Sequence, residues 1–79
     1  IKIDPNFISA YGNLGRTYLE LRNFDKALLN FNKVEKINPT DYNNLFAIGK
    51  TYLSMEKYDE GFRYYEYRKY LNNISPLTL

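Results

Sequence analysis

Displaced by 34 residues, the 79-residue sequence falls back on itself, and that period constrains its fold more than any other feature. Gly15 aligns with Gly49, Thr17 with Thr51, Tyr18 and Leu19 with Tyr52 and Leu53, and Asp25 with Asp59. Similar residues meet at Leu14 and Ile48, Arg16 and Lys50, Leu21 and Met55, Phe24 and Tyr58, Phe31 and Tyr65, and Ile37 and Leu71. Ile3-Asp4-Pro5-Asn6 and Ile37-Asn38-Pro39-Thr40 then stand as two copies of one turn. A unit this short cannot bury its apolar face alone, so the copies must stack on one another. The chain divides into the end of one repeat (1–5), a first full repeat (6–39), a second (40–71) and an irregular tail (72–79).

Within each repeat, apolar residues recur at helical spacing and a polar break interrupts them, which predicts two helices per unit and an all-α fold. The first helix is expected over about 6–21, with Asn6 as its cap and Tyr11, Leu14, Gly15, Tyr18 and Leu21 on its packing face. After Arg22-Asn23, a second runs over about 24–37 and buries Phe24, Ala27, Leu28, Phe31 and Val34. Thr40 is placed to cap a third over about 41–55, burying Leu45, Ile48, Gly49, Tyr52 and Met55. Beyond Glu56-Lys57, a fourth is expected over about 58–71. Gly15 and Gly49 permit close helix approach, and Ala27 and Gly61 do the same from the opposite helix. Gly61 costs about 1 kcal/mol of helix propensity against alanine, so packing is its expected purpose.

The residue inventory argues against chemistry. There is no histidine and no cysteine, which removes the commonest bases, metal ligands and nucleophiles. Asp25 and Asp59 recur at equivalent places, where a carboxylate in the first helical turn serves the helix dipole. No catalytic residue, metal site or cofactor is expected. A net charge of +2 gives no field suited to nucleic acid, and no apolar run of membrane-spanning length or secretory leader is visible. Beginning at Ile1, the chain looks like a piece of a longer protein; its cellular address stays open, with the cytoplasm favoured.

The quoted residues resemble the tetratricopeptide repeat, whose 34-residue unit carries an aromatic, a Leu-Gly pair, Tyr, Ala, an aromatic, a small residue and Pro. The first repeat answers with Tyr11, Leu14-Gly15, Tyr18, Ala27, Phe31, Val34 and Pro39. The second answers with Leu45, Ile48-Gly49, Tyr52 and Tyr65, but has Gly61 for the alanine, Arg68 for the small residue and Asn73 for the proline. The resemblance implies antiparallel helix-turn-helix pairs stacked as a right-handed superhelix, whose concave groove receives a peptide or helix of a protein partner. Opposite the packing faces lie Ser9, Gly12, Arg16, Leu19 and Glu20 on the first helix and Asn43, Phe46, Lys50, Leu53 and Ser54 on the third. Arg16 and Lys50 are expected as neighbouring cations that clamp an acidic group, with Phe46 and the two leucines holding apolar ones. The alternative is two solvated charges on exposed helices. Some members grip a C-terminal carboxylate with groove lysines and asparagines, but here Gly12 and Phe46 replace the lysines and Arg16 and Lys50 the asparagines.

Gly61-Phe62-Arg63-Tyr64-Tyr65-Glu66-Tyr67-Arg68 also resembles a Gly-Trp-x-x-Tyr-Glu-Trp-Arg segment of bacterial repeat proteins that precede a glycosyltransferase-like domain. That resemblance implies a non-catalytic adaptor region of a larger enzyme. The same helix crowds Phe62, Tyr64, Tyr65, Tyr67 and Tyr70 among Arg63, Arg68 and Lys69. Three uses compete: packing against further chain, self-association into a homo-oligomer, and stacking of single-stranded bases, the last opposed by Glu60 and Glu66.

Overall fold

The computed structural model describes residues 5–71. They form α1 (Pro5–Glu20), α2 (Phe24–Ile37), α3 (Tyr42–Ser54), α4 (Tyr58–Tyr65) and a short α5 (Arg68–Leu71), with no strand among the described residues. The tightest packing joins α1 to α2 and α3 to α4; α2 packs on α3 to link the two pairs, and α5 lies against α3. This is the all-α arrangement of paired antiparallel helices that the period predicts. The expected tail at 72–79 and the preceding turn up to Asp4 lie outside the described residues.

The turn inside each pair is the same device used twice. At the end of α1, Arg22 N–H donates to the Leu19 carbonyl at 3.0 Å and Asn23 N–H to the Tyr18 carbonyl at 2.8 Å. At the end of α3, Glu56 donates to Leu53 at 3.0 Å and Lys57 to Tyr52 at 2.9 Å. Both are Schellman closures, which satisfy orphan carbonyls by turning one residue into the left-handed region. Arg22 (φ 61°) and Glu56 (φ 64°) occupy it, 34 positions apart, and neither is the glycine such a position prefers.

Capping departs from expectation at two places. α1 is already helical at Pro5, tolerated in a first turn that needs no N–H from it, so Asn6 lies inside the helix instead of capping it. α3 is capped by Asp41, whose carboxylate accepts Asn44 N–H at 3.2 Å, while the Thr40 hydroxyl donates to Asn38 Oδ1 at 3.2 Å. Asp41 wins because its extended backbone (φ −78°, ψ 92°) sits immediately before the first helical residue.

Ala27, Phe31, Leu45 and Ile48 form the buried core, and Val34 is buried with them. The buried polar groups are all engaged: Asn30 Nδ2 donates to the Lys26 carbonyl at 2.8 Å, Thr51 Oγ1 to Ala47 at 2.8 Å and Asn44 Nδ2 to Phe31 at 2.9 Å. Leu14 and Leu21, expected on the packing face of α1, are instead 45% and 70% exposed. α1 meets α2 through Gly15, where an added Cβ would come within 2.5 Å of the Phe31 ring. At Gly49 the neighbour is backbone, its Cβ position lying 2.6 Å from the Tyr65 nitrogen, and at Gly61 the corresponding neighbour is the Leu53 side chain at 2.5 Å.

The expected single fourth helix is divided. Tyr67 N–H donates three residues back to Tyr64 at 3.0 Å and Lys69 to Glu66 at 3.2 Å, a tightening that ends α4 and starts α5. The turn swings Tyr67 inward to stack on Tyr42 at a centroid distance of 5.7 Å, while Arg68 lies over the Tyr65 ring. Val34, the counterpart of Arg68, is buried; a guanidinium cannot follow it there, and the helix breaks where that conflict arises.

Candidate functional site: the groove between the first and third helices

Helices separated by one repeat present equivalent stripes, so a groove between α1 and α3 needs only the period and the offset of α2 behind them. That groove exists, with a volume of about 470 Å³. Its α1 wall includes Ser9, Gly12, Asn13, Arg16 and Leu19; its α3 wall includes Asn43, Asn44, Phe46, Ala47 and Lys50; Phe31 and Val34 of α2 contribute from behind. Ser9, Gly12, Arg16, Leu19, Asn43, Phe46 and Lys50 therefore share one cavity, whereas Glu20, Leu53 and Ser54 do not line it. Leu53 is turned toward α4, where it packs against Gly61. Leu19 both lines the groove and touches the core.

Each cation has a local partner. The Arg16 guanidinium donates through Nη2 to Asn13 Oδ1, three residues earlier on the same helix. The Lys50 ammonium lies 5.6 Å from the centroid of the Phe46 ring, itself 4.9 Å from that of Tyr65. Both cations are exposed, so they meet a ligand without a burial penalty of their own. Asp41 is the acidic residue on this wall, and its carboxylate is engaged at the α3 terminus. The balance along the groove is thus cationic, with Phe46 on the α3 wall and Leu19 on the α1 wall as apolar contacts beside the two cations.

Gly12 gives the groove its clearance. A Cβ built there meets nothing within 4 Å, in contrast to Gly15 three residues on. Sequence inspection missed Asn13, although its position three residues before Arg16 was signal enough, and missed Asn44, whose counterpart Ala10 carries no such group. Among the described residues, no cluster of metal-binding side chains occurs and no helix is long and apolar enough to cross a membrane.

Comparison with known families gives one result: the family model described as Tetratricopeptide repeat matches residues 8–41. The match covers α2 and most of α1 and stops before the Gly61 to Arg68 segment. No curated protein and no solved structure matches the chain.

Proposed function

Since the chain carries a tetratricopeptide repeat at residues 8–41, in a family that generally mediates protein-protein interaction and is typically non-catalytic, we propose that its α1/α3 groove holds an extended segment of a partner protein. An acidic side chain of that segment sits between Arg16 and Lys50, and a neighbouring apolar side chain rests on Phe46 and Leu19. The observation that carries this reading is the convergence of both cations and both apolar residues on one cavity from two different helices. The cleared space at Gly12 admits the partner's backbone close to α1. A carboxylate meeting two cations gains charge-assisted hydrogen bonds, the strongest polar contacts an exposed groove offers.

The test is selection of peptides from a random display library on the immobilised chain, followed by calorimetry. Enriched peptides are expected to place Asp or Glu beside an apolar residue. Arg16→Glu combined with Lys50→Glu should weaken them by at least about tenfold, or ~1.4 kcal/mol, with helicity unchanged. Peptides that bind the reversed variant as tightly as the parent rule out this site.

A further inference from the structure

The two ends of the described structure carry the two halves of the interface its middle already uses. Between the pairs, α3 meets the first pair through Asn44, which bonds the Phe31 carbonyl, and Ile48, which packs with Ala27 and Phe31; with Thr51 on the same stripe they are 6%, 0% and 0% exposed. Their counterparts one period earlier on α1 are Ala10, Leu14 and Thr17, and all three are exposed. The stripe keeps the chemistry of a buried one: one small residue, one leucine, and a threonine whose hydroxyl donates to the Asn13 carbonyl at 3.0 Å as Thr51 does to Ala47. Covering Thr17 would leave no hydroxyl without a partner, so its burial carries little polar cost.

The opposite end shows the matching half. Leu28 of α2 is partly buried against the core, and its counterpart on α4 is Phe62, 57% exposed. Phe62 stacks with Tyr58, 54% exposed, at a centroid distance of 6.4 Å. We propose that a second copy of this chain stacks head to tail, seating the α1 stripe around Leu14 on the Tyr58 and Phe62 face of α4. The contact continues the α2/α3 interface in the same register, with Leu14 in the place of Ile48 and Phe62 in that of Leu28. It is heterologous, so each copy keeps one face open for the next. The break at Glu66 and Tyr67 confines the matched surface to α4, which makes the contact smaller and weaker than the one inside the chain.

Light scattering on the 79-residue chain should show mass rising above that of the monomer near about 100 µM, while a mass fixed at the monomer value up to about 1 mM overturns the proposal. Leu14→Glu spoils the head of a copy and Phe62→Glu its tail; both side chains are exposed, so circular dichroism should be unchanged. Each variant alone is expected to stay monomeric, and an equimolar mixture to form a dimer and nothing larger, through the intact tail of one and the intact head of the other. Leu14→Glu alone assembling like the parent, or a mixture that stays monomeric, overturns the head-to-tail geometry. Leu14→Gln and Phe62→Gln, which add no charge, should reproduce the pattern.

Discussion

Asn44 Nδ2 donates to the carbonyl of Phe31 at 2.9 Å, a buried bond that ties the second helical pair to the backbone of the first. Both residues are almost fully enclosed, so the bond is shielded from water. Asn44→Asp keeps the shape but points an acceptor at an acceptor and buries a charge, which should destabilise by about 3 kcal/mol at neutral pH. The deficit should shrink in acid, where a protonated carboxyl donates as the amide did. Asn44→Leu removes the polar group outright and should cost about 1 kcal/mol. Urea titration of both variants at two pH values measures this; an Asp variant as stable as the Leu variant at neutral pH contradicts the bond.

The two Schellman turns differ in one detail that predicts a stabilising change. Asn23 closes α1 and also caps α2, its side chain accepting Lys26 N–H at 3.4 Å, whereas Lys57 at the equivalent place makes no side-chain cap for α4. Lys57→Asn copies the first turn into the second and should add about 0.5–1 kcal/mol. In a domain of this size that is a rise in melting temperature of about 4 °C, read by thermal circular dichroism. No rise would mean that the second turn limits stability elsewhere.

How much of this was legible in the sequence depends on which helix face is asked about. The pairing, the turns at Arg22-Asn23 and Glu56-Lys57 and the shared cavity of Arg16 and Lys50 follow from the period, since a 34-residue offset carries any residue to its counterpart one helix along. The exposure of Leu14 and Leu21 did not follow. α1 carries two apolar stripes, one packed on α2 and one exposed, and periodicity marks both without saying which is covered. Leu53 was misplaced for a related reason: Gly61 opens a space that draws it toward α4. The break at Glu66 and Tyr67 was legible only in part: Arg68 standing where the first repeat has Val34 marked the conflict, but the stack of Tyr67 on Tyr42 that accompanies the break carries no Pro or Gly signal.

Tyr64 predicts an alkaline limit. It lies between Tyr52 and Tyr67, with centroids 6.0 and 6.4 Å away, and its hydroxyl donates to Glu35 Oε2 at 3.5 Å. Burial first, then the charge of Glu35, raises its pKa above the ordinary tyrosine value of 10.0. The folded state holds this proton more tightly than the unfolded chain, so the contribution is complete below pH 10 and is lost as pH rises through the folded pKa. Tyr64→Phe should therefore flatten the fall in stability above pH 10, and Glu35→Gln should flatten it in part. Denaturant midpoints from pH 8 to about 11 read the slope; identical slopes in parent and Tyr64→Phe contradict the assignment.

Three glycines on the two groove helices should respond to alanine with different signs. At Gly12 the added methyl meets open space, so Gly12→Ala gains helix propensity and should stabilise by up to about 1 kcal/mol. At Gly15 the same methyl falls 2.5 Å from a Phe31 ring that is itself 1% exposed and cannot swing aside, and Gly15→Ala should destabilise by about 1–3 kcal/mol. Gly49→Ala should be the worst, because its obstacle is the Tyr65 backbone, which moves only if α3 and α4 separate. Thermal denaturation orders the three. The open space at residue 12 then becomes a probe of the groove: Gly12→Leu should leave the fold intact yet weaken peptides that Gly12→Ala still binds, since only the longer side chain reaches across the cavity. Equal losses at residues 12 and 15 contradict the geometry assigned to both faces of α1.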